Sequence, residues 1–323
     1  MSHVIQDPLG FDLPLPLRSR YYPMGFPLDL ATNSEDILAA TDRIWKQFPA
    51  TAQERAATLR VVVEDRDARV PPLPSMPRGQ NHLVSIVHGP DNFAMCDLAR
   101  SFTFVCLTRD VARDQSYIRY HFLEPAGYLM IDALHLSPLH ASCVALKGRA
   151  VLLCGDAGAG KTSLAYACAR KGWTYLSDDA THIVRGRGDR TVVGRPFRIR
   201  FRESASRLFP ELKQFTPERR PNGKLDIEVE TRALGIAVAL ESSASHVVFL
   251  NRQNEAARAR VEPFARTEAA RRLRTLTCYG DERVRSEQNR ALTEFLQLPT
   301  MELTYADLES AESALRTLTE SEV

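Results

Sequence analysis

Residues 149–179 read RAVLLCGDAGAGKTSLAYACARKGWTYLSDD, and this stretch decides the fold. Within it Gly155, Asp156, Ala157, Gly158, Ala159, Gly160, Lys161 and Thr162 fit the pattern G-x-x-x-x-G-K-[ST] in full. Each part has a physical reason. The glycines permit unusual dihedrals and let backbone N–H groups approach phosphate oxygens. The loop opens a helix, beginning with Lys161, Thr162 and Ser163, whose N-terminal dipole favours an anion. Lys161 supplies a point charge for the β- and γ-phosphates, and the Thr162 hydroxyl can ligate Mg²⁺. The context agrees, since Ala150–Cys154 has the composition of a strand and Ser163–Lys171 that of a helix. The expected ligands are ATP, or another nucleoside tri- or diphosphate, and Mg²⁺.

Working outward, Asp178 and Asp179 lie 17 and 18 residues after Lys161, room for one helix of about three turns and one short strand. The strand Trp173–Ser177 is expected beside the loop strand, which would bring both carboxylates to the end of the sheet where open α/β folds bind ligands. Of two adjacent acids there, one can hold Mg²⁺ and the other accept a proton from an attacking hydroxyl. Upstream, Ser142–Leu146 and Arg149–Cys154 are apolar runs joined by Lys147-Gly148, a tight hairpin. Downstream, Thr181–Arg185 and Thr191–Val193 form a second hairpin, with strands at Leu225–Glu230, His246–Leu250 and Met301–Thr304. Helices are expected at Thr267–Leu276, Glu282–Leu296 and Ala306–Leu318. Arg198, Arg200 and Arg202 alternate at period two, which reads as a solvated strand face, with a phosphate-reading face as the less favoured alternative.

Residues 1–135 read as a separate α+β domain carrying no motif of nameable chemistry. Asn33 or Ser34 caps a helix to about Gln47, and a strand covers Leu59–Glu64. Residues 70–80, with four prolines, read as a loop. Further strands fall near His82–His88, Phe93–Cys96, Phe102–Thr108 and Ile118–Phe122, and a helix over Ala126–Leu136.

With these residues in view, His140 to Val184 resembles the C-terminal catalytic domain of the HPr kinase/phosphorylase family. That family has a His before a hairpin, a GDSG-x-GKS loop, a helix ending in a basic residue and Gly, and a strand closing in Asp-Asp. The counterparts here are His140, Gly155–Thr162, Arg170-Lys171-Gly172 and Asp178-Asp179. A weaker likeness lies at Glu230–Ile236. The resemblance implies an α/β fold with a P-loop-containing mixed sheet of the phosphoenolpyruvate-carboxykinase-like type in residues 136–323. It implies Asp178 as base, Asp179 and Glu230 with Thr162 on Mg²⁺ (Glu228 being the alternative to Glu230, and the roles of the two aspartates being open to exchange), and His140 beside the phosphates. The chain departs from the family at Asp156-Ala157, at Thr162-Ser163 and at Ala233, which stands where the family has a Gly in its protein-substrate segment. The implied activity is phosphoryl transfer from ATP to a hydroxyl of a protein or small-molecule acceptor, with a homo-oligomer in keeping with the family.

Composition sets outer bounds. Forty-two basic and 40 acidic residues leave a formal charge of +2, so no global field favours nucleic acid or an anionic membrane. No segment approaches the length of an apolar membrane helix, and the start lacks the look of a signal peptide. The six cysteines show no metal-ligand spacing and read as buried thiols of a cytoplasmic protein. Two rivals share the loop. A shikimate-kinase-like metabolite kinase is disfavoured by the hairpin before the loop strand and by the lack of a downstream Gly-Gly pair. A regulatory module that binds nucleotide without transferring phosphate would retain the same loop.

Overall fold

The computed structural model describes residues 13–67, 77–188, 190–220, 223–253, 258–274 and 281–321. It is a mixed α/β protein that divides into two units. One contains the chain through His135 together with the short stretch ending at Arg285; the other contains the rest from Leu136 onward.

The first unit has seven strands: β1 (Leu17–Tyr21), β2 (Leu28–Thr32), β3 (Ala57–Glu64), β4 (Arg78–Gln80), β5 (Leu83–Val87), β6 (Phe93–Asp97) and β7 (Phe102–Thr108). They lie in the order β1-β2-β3-β7-β6-β5-β4. The β2–β3 and β3–β7 pairs are parallel and the remainder antiparallel. Helix α1 (Glu35–Trp45) starts at Ser34, with Glu35 and Asp36 in its first turn where acids suit the dipole. Its buried residues Ile37, Ala40, Thr41, Ile44 and Trp45 follow the helical repeat.

Two expectations are corrected in this unit. Residues 118–122 are helical, not a strand: α2 (Arg109–Arg113) and α3 (Gln115–Ile118) lead through a π-helical turn at Arg119–Leu123 into α4 (Glu124–Leu134). The apolar alternation at Ile118, Tyr120 and Phe122 is overridden by a cap, in which the Asp114 carboxylate accepts from the Tyr117 N–H at 2.9 Å. Burial at Tyr117, Ile118, His121 and Phe122 then follows helical spacing. In the proline-rich segment, Arg78–Gln80 pairs with β5 as an edge strand; residues 68–76 lie outside the described residues.

The second unit is built on a nine-stranded mixed sheet. In chain order its strands are β8 (Leu136–Leu139), β9 (Ala141–Leu146), β10 (Arg149–Cys154), β11 (Thr174–Ser177), β12 (Thr181–Val184) and β13 (Thr191–Val193). A separate three-stranded sheet holds β14 (Arg198–Arg202), β15 (Glu218–Arg219) and β16 (Leu225–Glu230). The large sheet resumes with β17 (Glu241–Arg252), β18 (Arg260–Pro263) and β19 (Thr300–Tyr305). The helices are α5 (Lys161–Arg170), α6 (Arg266–Arg274), α7 (Glu282–Phe295, of which the part from Ser286 belongs to this unit) and α8 (Leu308–Glu320). The end of the expected 267–276 helix lies outside the described residues.

From Ala150 to Cys154 strand β10 is apolar because both of its faces are covered. Val151 and Leu153 pack with Leu164 and Ala165 of α5 and Leu315 of α8. Ala150, Leu152 and Cys154 pack on the opposite side with Leu273 of α6 and Leu292 of α7. Among the described residues five cysteines are buried and free. No described helix is long and apolar enough to cross a membrane.

The position of β11 is a further correction. It does not lie beside the loop strand; the order is β11-β9-β10-β17, so the hairpin partner β9 intervenes. The hairpin turns back on the side where a parallel neighbour would sit. Because β9 is antiparallel to both, β10 and β11 still run in the same direction and end at the same edge.

Candidate active site

The loop after β10 is shaped by its glycines. Gly160 has φ 93°, and a Cβ there would lie 2.6 Å from the Tyr305 hydroxyl, so both backbone conformation and space require glycine. Tyr305, fully buried at the end of β19, donates to the Ala159 carbonyl at 2.9 Å. Ala159 N–H in turn donates to the Asp156 carbonyl at 3.1 Å. The loop then enters α5, whose first residues are Lys161, Thr162 and Ser163.

Lys161 is folded back over this loop. Its ammonium donates to the Gly155 carbonyl at 2.7 Å, to the Asp156 carbonyl at 3.3 Å and to His140 Nε2 at 3.1 Å. His140 Nδ1 lies 3.1 Å from Asp179 Oδ1. Because Lys161 can only donate, Nε2 must accept, which leaves Nδ1–H to face the carboxylate. The three sequence-selected residues Lys161, His140 and Asp179 therefore form one contiguous chain. Burial pushes the Lys161 ammonium below the ordinary lysine range, opposed chiefly by the Asp179 charge.

Asp178 occupies a different niche. Its Oδ2 accepts from the Arg200 backbone N–H at 2.9 Å. Its carbonyl accepts from the Ser142 hydroxyl, while Ser177 Oγ donates to the Ala180 carbonyl at 2.7 Å and fixes the turn. Burial raises the Asp178 carboxyl above the usual carboxylate value, opposed by the Arg200 N–H and by the charges of Arg200 and Arg195. Close approach matters here too, because a Cβ on Gly194 would fall 2.2 Å from the Leu176 carbonyl oxygen.

Glu230 ends β16 and pairs with Arg232 at 2.6 Å. Among the described residues no hydrogen bond or ion pair joins it to the loop, Asp178 or Asp179. Glu228 is taken by Arg200 at 2.7 Å and Arg198 at 3.7 Å. The chain after Glu230 does return to the site's edge, since Tyr175 N–H donates to the Ala237 carbonyl at 2.8 Å. Among the described residues no group of three or more His, Cys, Asp or Glu is placed to hold a metal ion. A cleft of ≈ 230 Å³ opens beside the start of the loop, lined by His140, Gly155, Asp156, Ala157, Phe249 and Arg272 among others.

The sequence reading did not anticipate Tyr305, which is 146 residues from its partner and is brought there only by β19 pairing with β17. Nor did spacing show that the backbone N–H of Arg200, on a strand whose arginines alternate with buried Ile199 and Phe201, holds Asp178. The alternation of arginines was the available signal; its meaning required the neighbouring strand.

No protein-family model matches the chain, and no curated protein matches it. Among solved structures, it is similar to the Hpr(Ser) kinase/phosphatase from Coxiella burnetii at 12% identity and a TM-score of 0.33, over 56% of this chain and 89% of that one. At that score the likeness does not establish a shared fold.

Proposed function

We propose that this protein is an ATP-dependent phosphotransferase acting on a hydroxyl acceptor. The observation that carries the reading is the convergence of Lys161, His140 and Asp179 on a loop with the complete G-x-x-x-x-G-K-T pattern. Phosphoryl transfer asks the protein mainly for positioning and charge stabilisation, and a glycine loop at a helix start with an inward-folded lysine suits both. In this reading Lys161 leaves its carbonyl partners for the nucleotide's phosphates. Asp178, with Oδ2 held by the Arg200 N–H, has Oδ1 to accept the acceptor's proton, and its raised carboxyl is the better base for it.

The donor set fits Mg²⁺, which takes one or two carboxylates together with phosphate oxygens. Thr162 and Asp179 would hold it, and Glu230, engaged with Arg232, is not required. Bound there, Mg²⁺ would neutralise charge on the triphosphate.

Calorimetry with ATP·Mg²⁺ on the wild type and Lys161→Ala tests the nucleotide site; unchanged affinity in the variant would overturn it. A transfer screen with γ-labelled ATP tests the chemistry. Binding without transfer or turnover would favour a regulatory nucleotide module instead.

A further inference from the structure

Strand β14 runs past α5, the helix that the glycine loop opens. Its Ile199 and Phe201 are buried, and Phe201 meets Tyr166 of α5 edge-on at 5.1 Å between ring centroids. With alternate residues anchored below, Arg198, Arg200 and Arg202 project from the other face at period two. The Arg200 N–H to Asp178 bond fixes the strand to the candidate site.

On that face the charges do not cancel. Arg202 lies opposite Asp226 in the β14–β16 register, yet Asp226 is paired with Arg220 at 2.8 Å. Glu228 is shared by Arg200 and Arg198, and Glu230 is taken by Arg232. Each carboxylate facing β14 is thus engaged, and among the described residues Arg202 has no carboxylate partner. Its guanidinium reaches the glycine loop instead: a Cβ on Gly158 would lie 3.9 Å from Arg202 Nη1. An exposed arginine held by a rigid strand beside a buried lysine, over a loop of backbone amides, is an arrangement that a polyanion would complete.

We propose that Arg202 is a phosphate-binding residue of this site, supplied by the three-stranded sheet to neutralise the nucleotide's polyphosphate chain above Gly158. The proposal rests on the reading of the loop as a nucleotide site.

Calorimetry of the full chain with ATP·Mg²⁺ and with inorganic tripolyphosphate is the test, on the wild type, Arg202→Gln, Arg202→Lys and Lys161→Ala. Arg202→Gln should weaken both ligands by a similar factor of about 10 or more, as for the loss of a hydrogen bond to a charged group, with Arg202→Lys in between. Unchanged affinities in Arg202→Gln beside a defective Lys161→Ala would remove the arginine and leave the nucleotide site standing. Weakened ATP with unchanged tripolyphosphate would place Arg202 on the base or ribose and overturn the assignment. A wild type that binds neither ligand would instead bring down the nucleotide reading on which it rests.

Discussion

Lys161 Nζ donates to His140 Nε2 across 3.1 Å, and the same ring turns its other nitrogen to Asp179. The imidazole therefore fixes the lysine and the carboxylate relative to each other. His140→Ala should leave ATP affinity nearly intact, because the Lys161 charge and the loop amides that would hold the phosphates remain. Turnover should fall by roughly 10- to 100-fold, as when an orienting partner of a metal-binding carboxylate is removed. His140→Asn, which can donate and accept, should recover part of the loss. Equal turnover in the wild type and the alanine variant would show that the contact is not used.

Asp178 should set the acid limb of the rate profile. Burial raises its carboxyl, so the proton stays on to a higher pH than on an ordinary aspartate. Activity that needs the ionised form is then lost, as pH falls, above the usual carboxylate range. Asp178→Asn should lower kcat with little change in nucleotide affinity. An acid limb at the ordinary carboxylate position would contradict the assignment.

Tyr305 and Gly160 should be coupled. Tyr305→Phe removes one hydrogen bond to the loop, worth about 1 kcal/mol, and should weaken ATP binding by several-fold. Gly160→Ala should be worse, since its Cβ would meet the tyrosine hydroxyl. The double variant should lose less than the sum of the two, because the phenylalanine leaves room for the methyl. Strict additivity in a binding cycle would argue that the two do not share a contact.

Glu312 joins α8 to Trp173, the residue before β11, at a buried point. It accepts from Trp173 Nε1 at 2.8 Å and from Arg316 at 2.7 Å. Glu312→Ala should destabilise this unit by roughly 2–3 kcal/mol, since an indole N–H and a guanidinium lose their acceptor. Each unit holds one of the chain's two tryptophans, so in a Trp45→Phe background Trp173 fluorescence during urea unfolding reports on this unit alone. An unchanged midpoint would show that the contact adds nothing.

Acid should weaken both units through buried imidazoles. Burial pushes His88 and His121 down to about 4 and His182 to about 3. Between the unfolded value of about 6.5 and these values, the unfolded chain binds more protons than the fold, so stability falls as pH drops through that window. Melting temperature should be flat near pH 7 and decline below about 6, with His182→Gln reducing the slope in the second unit. A melting temperature constant from pH 7 to 4.5 would refute this.

The sequence alone determined what is local in this protein. Glycine spacing, Lys161 and Thr162 marked a strand, loop and helix, and Lys147-Gly148 marked the hairpin, because turn dihedrals and helix starts depend on neighbouring residues. The helix α1 after Ser34 was equally legible from its cap. Alternation at Ile118–Phe122 misled because the Asp114 cap, a single side chain-to-backbone bond, outweighed the pattern.

Only the tertiary structure decided the neighbours. It put β9 between β10 and β11, carried Tyr305 to the loop and tied Asp178 to the Arg200 backbone. Among the described residues it also left Arg202 without a carboxylate while Arg198 and Arg200 share one. None of this follows from spacing, since strand order is chosen by how whole faces pack against α5 and α8 on one side and α6 and α7 on the other. A side chain's charge balance is set by whichever strand that packing places opposite it.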